Sequence, residues 1–390
     1  MTPGLHPHVP QLGAWLTDRF LPAWIDRTVR PGQPGYVESV GADGLPVETG
    51  ARTVMVTARL VYVFSLGHLL APDGACLEAA RHGLDFLLGP CRGRDGRFLH
   101  LVPAEGQGAA PPADLYDLAF ILLALGAFSA TSGDAAPLAI ANEIAGRLEA
   151  HLADPHGGYR EDGLAAGERR QFPHMHLLEA CQILSRLGSE GGWELRAEQM
   201  VDLLERRFLV GGSVGEWYER DWRPAPGAHG RERQLGHQFE WAWLLYRQGA
   251  LTGSARATRL ADRLYSFGLA CAGAETGPLT PMIDAIDRDG KPRDDMRPLW
   301  PMTELLRASV AKVTFAGESQ ARHMADSTAS AIFTHYLDPQ TGLWVNELGE
   351  DNRAVLTSVP TRVLYHIVPA LAAYASLRDG DFAAPNPLLR

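Results

Sequence analysis

The sequence predicts an all-α fold, an (α/α)6 barrel: a toroid of six helical hairpins with short β pieces in the loops at one mouth. Three observations predict it. Apolar residues recur with a helical period in twelve segments along the 390 residues. A glycine followed within a few residues by a large apolar side chain returns at Gly35-Tyr36, Gly96-Arg97-Phe98, Gly158-Tyr159, Gly215-Glu216-Trp217, Gly277-Pro278-Leu279 and Gly342-Leu343-Trp344, at glycine intervals of 61, 62, 57, 62 and 65 residues. Clusters of unusual polar residues fall only on alternate helices.

The helices are expected over 8–28, 50–70, 74–89, 114–131, 134–152, 173–187, 193–209, 236–250, 255–271, 297–314, 318–336 and 360–376. The first is an amphipathic opener. The second carries Arg52 and Arg59 in an otherwise apolar run; seven residues apart, they are expected on one side. The fourth opens Asp114-Leu115-Tyr116-Asp117. The fifth starts at a capping Asp134, and the sixth has Pro173 in its first turn and reads Pro173-His174-Met175-His176-Leu177-Leu178-Glu179. The eighth opens Gly236-His237-Gln238-Phe239-Glu240-Trp241. The tenth, with an early Pro298, holds Trp300 and Glu304, and the twelfth, opening at Pro360, holds Tyr365-His366. The odd helices carry Arg and Glu on a wet side. No long β-branched alternating segment appears, so strands are short pieces in loops.

Six hairpins of about sixty residues use up nearly the entire chain, which points to one catalytic domain over 1–390. The rivals are an extended four-helix bundle and an α-solenoid; distinct capping repeats, which a solenoid needs, are lacking. Thirty-six basic against 46 acidic residues give a net charge of −10, which argues against a nucleic-acid partner. Cys76, Cys91, Cys181 and Cys271 are widely spaced with no CxxC pair, as in reduced cytoplasmic thiols. The longest apolar stretch, 118–130, is short for a bilayer, and no secretory signal is seen. A cytoplasmic monomer or homodimer, with no membrane or nucleic-acid partner, is expected.

If the even helices line the lumen, their N-termini converge on one mouth, where free N–H groups and positive potential suit a polyol or a transient enolate. His174 and His176 lie two apart and point about 200° apart, so His176 is assigned inward and His174 to support. His176–Glu179 and His237–Glu240 are both H-x-x-E at i, i+3, a spacing that can ligate metal or let each glutamate orient an imidazole. With no third ligand of obvious spacing, the metal-free reading is preferred. Trp217, Tyr218, Trp222, Trp241, Trp243 and Trp300 read as core or as sugar-stacking rings. Arg220, Arg223, Arg231 and Arg233, with His229, form a basic loop, read as a solvated loop or as an anion site if it folds over the mouth.

At these residues the chain resembles the N-acylglucosamine 2-epimerase superfamily, which also holds mannose isomerases, cellobiose 2-epimerases and sulfoquinovose isomerases. The matching segments are Thr57-Ala58-Arg59-Leu60, Asp114-Leu115-Tyr116-Asp117-Leu118-Ala119-Phe120, Pro173-His174-Met175-His176-Leu177-Leu178-Glu179-Ala180, Gly236-His237-Gln238-Phe239-Glu240-Trp241 and Leu364-Tyr365-His366. The resemblance implies the (α/α)6 barrel, a small-molecule sugar substrate and no cofactor. It further implies His237 and His366 as the acid/base pair, His176 as a third essential histidine, and Arg59 as the arginine at the enediolate. Tyr116, Glu240 and Glu304 would bind or orient, with Asp117, Phe172, Glu179 and Trp300 completing the substrate-binding set. Phe172 stands where many relatives have Asn, and Met55 where some isomerases have Trp; both alter the sugar pocket.

The expected reaction is aldose–ketose isomerisation of a mannose-type sugar, mannose to fructose, by histidine proton transfer through an enediolate. Removing the C2 proton needs a base near neutral pH and a cation at the developing oxyanion. A 2-epimerase on mannose, glucose, N-acylglucosamine or cellobiose is the alternative. Outside that class stand a glycoside hydrolase or lyase, which needs two acids across the scissile bond, and a non-catalytic sugar-binding protein.

Overall fold

The structure, a computed structural model, describes residues 9, 11–48, 50–72, 74–103, 110–161, 167–188, 190–273, 280–355, 358–379 and 388. All twelve expected helices form. The first, α1, runs as Leu12–Trp15, a π-helical stretch Leu16–Phe20, and Leu21–Thr28; residues 1–8 and 10, in or near the expected start, lie outside the described residues. The others are α2 (Val54–Leu70), α3 (Ala75–Leu88), α4 (Leu115–Ser132), α5 (Ala136–Arg147), α6 (Phe172–Leu184), α7 (Trp193–Leu203), α8 (Leu235–Thr252), α9 (Ala255–Ala272), α10 (Trp300–Ala316), α11 (Ala321–His335) and α12 (Leu364–Asp379).

The even helices form the inner ring. Each packs on the next in the order α2, α4, α6, α8, α10, α12, and α12 closes back on α2. Their composition explains the placement: α2 is buried on every face from Val56 to Gly67, as an all-round apolar helix must be. The odd helices bury one stripe and lie outside. The ring is also laced at its seam. The indoles of Trp15 and Trp24 donate to the Pro339 and Gly342 carbonyls at 2.9 and 3.1 Å, and Trp24 packs on Trp344 at 4.6 Å. Burying each such aromatic stabilises the closure by about 1.5–3 kcal/mol.

The sixty-residue mark has a structural cause. After an odd helix the chain turns tightly and comes back as a single antiparallel bridge: Val29 with Tyr36, Arg92 with Phe98, Ala153 with Tyr159 and Leu337 with Trp344. The glycine supplies the left-handed turn residue, with φ between 69° and 77° at Gly35, Gly96, Gly158 and Gly342. The aromatic is buried under the turn. In the fourth repeat the mark is displaced: Leu209–Val210 pairs with Ser213–Val214, so Val214 rather than Trp217 fills the role. Gly277-Pro278-Leu279 lies outside the described residues.

Three expected helix starts are corrected. Residues 51–53, 297–298 and 359–360 are strands, not first turns. Arg52, Pro298 and Pro360 therefore precede their helices, and Arg52 does not share a helical face with Arg59. These strands pair with neighbouring loops at one mouth: Ala51–Thr53 with Leu101–Pro103, Arg297–Pro298 with Glu347–Leu348, and Val359–Pro360 with Ser39–Val40. The proline that starts α10 is Pro301. Helix α4 contains the 118–130 stretch and extends it to 18 residues, long and apolar enough by length and composition to cross a membrane; most of it is buried inside the barrel as an inner wall.

Candidate active site

The N-terminal turns of the inner helices meet at the mouth carrying these strands. Arg59, one and a half turns into α2, is 4% exposed. Its Nη2 donates to the Tyr116 hydroxyl of α4 at 2.7 Å and its Nη1 reaches the Arg362 carbonyl at 3.4 Å. The guanidinium lies 4.3 Å from the Phe120 ring and 4.8 Å from that of Tyr365. A cation so placed is fixed by ring faces on two sides.

His237 opens α8. Its Nδ1 lies 2.8 Å from Glu216 Oε2, which also accepts from the Gln171 amide at 3.0 Å, while Glu216 Oε1 accepts the Gln234 N–H at 3.1 Å. Burial pushes the imidazole down, but the Glu216 carboxylate outweighs burial and holds it above the ordinary value. His366 in α12 has its Nδ1 2.8 Å from Glu304 Oε1. Here burial, with the Arg59 and Arg307 cations, holds the imidazole well below the ordinary value. Both rings keep an exposed edge, 8% and 7%, so each can meet a ligand from the mouth. The two stand on α8 and α12, either side of α10, and the Trp300 ring of α10 lies 5.1 Å from one and 5.6 Å from the other.

His176 faces the lumen and His174 does not, as the 200° offset requires. His176 Nδ1 is 3.6 Å from Glu240 and 3.4 Å from the Tyr365 hydroxyl, and burial pushes its pKa well down. His174 is fully buried outside the lumen, where its Nε2 accepts the Tyr159 N–H at 3.0 Å and ties α6 to the glycine–aromatic turn. Phe172 stacks on His237 at 5.5 Å and meets the Tyr116 edge at 5.2 Å, forming part of the pocket wall.

Below the histidines lies a covered ionic floor. Glu179 accepts from the Tyr365 hydroxyl and lies 3.4 Å from Arg307. Glu304 accepts from the Trp243 indole at 2.8 Å and is 3.9 Å from Arg307, whose guanidinium lies 3.6 Å over the Trp243 ring. Burial raises the pKa of Glu179, Glu240 and Glu304 alike. Glu179 and Glu304 are wholly covered, so they anchor Tyr365 and His366 instead of touching a sugar. The ligand atoms of His176, Glu179 and Glu240 fall within 4.8 Å of one another, as do those of Glu240, Glu304 and His366. Several of those donors are already engaged by Tyr365, Trp243 and Arg307.

Asp117 is corrected: it is not in the lumen. Its carboxylate holds His100 Nδ1 at 2.7 Å and the Asp114 N–H at 3.2 Å, closing a capping box at the start of α4. The basic loop is largely neutralised within itself. Arg223 pairs with Asp221 at 2.9 Å, Arg231 with Asp287 at 3.2 Å, Arg233 is buried on Ser213, and His229 stacks on Trp217. Three contributors are not singled out by the sequence, Glu216, Gln171 and Arg307, and Tyr365 is singled out beside His366 without a role. Glu216 lay within a repeat mark read only as a turn, and Arg307 stands one turn from Glu304 on the same helix face.

Two opposed histidine environments, a ring-clamped arginine and aromatic walls can move protons on a small polyhydroxylated molecule. Comparisons point the same way. The family model described as N-acylglucosamine 2-epimerase (GlcNAc 2-epimerase) matches residues 35–370. The chain is 31% identical over 382 residues to the mannose-6-phosphate isomerase of Rhizobium meliloti (strain 1021), covering 94% of this chain and 96% of that one. It is 22% identical to a cellobiose 2-epimerase of Ruminococcus albus, over 86% of this chain and 90% of that protein. A crystal structure of D-mannose isomerase superposes with a TM-score of 0.84 at 20% identity, over 94% of this chain and 97% of that one. The chain belongs to the N-acylglucosamine 2-epimerase family of sugar isomerases and epimerases.

Proposed function

We propose that the protein is a cofactor-independent aldose–ketose isomerase of mannose-type sugars, acting in the cytoplasm. The observation that carries this reading is the pair of histidines at one mouth, shifted in opposite directions on either side of Trp300. Groups whose environments push them apart take opposite roles in acid–base chemistry. Neutral His366 is the base, and His237, kept protonated by Glu216, is the acid.

In the step, His366 takes the C2 proton and the electron pair moves to O1, giving an enediolate. Arg59, fixed by Tyr116, stabilises that charge. The proton returns to C1, the C2 hydroxyl loses its proton as the ketone forms, and O1 regains one. Before this step His237 opens the ring by protonating the ring oxygen and then takes up the proton that the anomeric hydroxyl releases. His176, held neutral by burial, donates a hydrogen bond to a substrate oxygen. The mannose-acting names among the relatives support this substrate class.

A second reading, 2-epimerisation, is supported by the cellobiose 2-epimerase relatives. It requires only that the proton return to the other face of C2. Mannose, glucose, fructose and cellobiose incubated separately in D₂O and followed by NMR separate the two. A new ketose carrying deuterium at C1 is expected; a C2 epimer without ketose would move the assignment to epimerase. No new sugar across the panel would overturn both.

A further inference from the structure

Five of the six inner helices are entered through an arginine two or three residues before the first turn: Arg52, Arg170, Arg233, Arg297 and Arg362. Four have partners. Arg52 reaches Gln33 at 3.3 Å and Glu48 at 3.6 Å, and Arg170 reaches Asp114 at 3.0 Å and Glu161. Arg233 bonds Ser213 at 2.9 Å, and Arg297 bonds the Asp295 and Gly349 carbonyls at 3.0 and 2.9 Å. The Arg362 guanidinium makes no hydrogen bond or ion pair among the described residues, and the residue is exposed.

Its electrostatic neighbours are Arg59, Tyr116 and Glu38. Glu38 is the nearby carboxylate, and its two oxygens are taken by the Thr53 N–H at 2.6 Å and hydroxyl at 3.0 Å. Arg59, 4% exposed, has its Nε buried without a partner. The Arg59 and Arg362 charges thus act on each other with no carboxylate bridging them among the described residues, on a protein of net charge −10. Like charges so placed repel, and an anion held by Arg362 on the mouth side relieves the repulsion while Arg59 stays at the C1–C2 end. Arg362 precedes His366 by four residues, so it lies on the same side, about 6–8 Å nearer the mouth. That is comparable with the reach of a hexose chain from its reacting end to its terminal oxygen.

We propose that Arg362, with the charge of Arg59 behind it, binds the phosphoryl group of a terminally phosphorylated hexose whose C1–C2 end lies at His366. A planar fork of donors suits a phosphate dianion. The inference rests on the isomerase–epimerase reading for its reaction but makes its own binding claim.

The test compares wild type, Arg362→Gln and Arg362→Lys on mannose and mannose 6-phosphate, with calorimetric binding of glucitol and glucitol 6-phosphate. Either substitution keeps the backbone carbonyl that Arg59 uses. Wild type should prefer the phosphorylated sugar at least tenfold in kcat/KM. Arg362→Gln should erase that preference through KM, with kcat changing less than about threefold, and Arg362→Lys should fall between. A wild-type preference for free mannose, or equal losses on both sugars, would overturn the proposal. If neither sugar reacts, the functional reading fails and calorimetry alone decides the site. Tighter binding of glucitol 6-phosphate than glucitol, lost in Arg362→Gln, supports it; equal affinity for the two overturns it.

Discussion

Glu216 lies 21 residues before His237 in the chain and 2.8 Å from it in space. Its charge opposes the desolvation that would otherwise leave His237 neutral. The pH–rate profile should therefore lose activity on the alkaline side as His237 gives up its proton above the ordinary histidine value. Glu216→Gln removes the raising charge, so that limb should move about one unit or more toward acid; an unmoved limb would separate Glu216 from catalysis. His237→Ala and His366→Ala should each lower kcat by about 10²–10⁴-fold with the helical CD signal intact. Near-normal turnover in either would remove its assigned role. The histidines were legible in sequence because the helical period fixes which way each one points. Glu216 and Gln171 were not, since only the closed ring brings a hairpin loop and a helix start to the same imidazole.

At the scale of the helix, the same acidic residue type serves different ends. Asp117 sits beside Tyr116 in the sequence, yet one residue turns a side chain by about 100°. Tyr116 meets Arg59 while Asp117 turns back to cap α4. Asp117→Ala should therefore cost about 1–2 kcal/mol of stability, read as a lower Tm, while kcat of the folded enzyme stays within about twofold. A large kcat loss at unchanged Tm would return Asp117 to the site. Gly158 has φ near 70°, and a Cβ there would overlap Leu203 and His174. Gly158→Ala should lower stability by about 1–3 kcal/mol in chemical denaturation. The turn was visible as a glycine–aromatic spacing. That His174 fastens it to an inner helix depends on packing between elements, which no spacing encodes.

Across the whole molecule, the ring order and the count of twelve helices followed from apolar period and repeat, because each hairpin buries its face only against its neighbours. That three of those helices are entered through a strand where a first turn was expected did not. A two- or three-residue strand has no period of its own, and its pairing partner comes from another repeat. The ring gathers the carboxylates Glu179, Glu240 and Glu304 beneath the histidines and sets Arg307 and Arg59 against them. With that charge balance supplied by side chains, dialysis against EDTA should leave turnover unchanged. A loss restored by a divalent cation would instead make the His176, Glu179 and Glu240 cluster a metal site.

In the proposed reaction one imidazole of this ring, His366, removes a carbon-bound proton. Deuterium wash-in measures that step directly: substrate recovered from D₂O before equilibrium, analysed by NMR at C2 for wild type, His366→Ala and His237→Ala. Wild type should show solvent deuterium at C2 of the recovered aldose or at C1 of the ketose, and His366→Ala none above background. Undiminished wash-in by His366→Ala, with wash-in lost in His237→Ala, would contradict that role and place the base on α8.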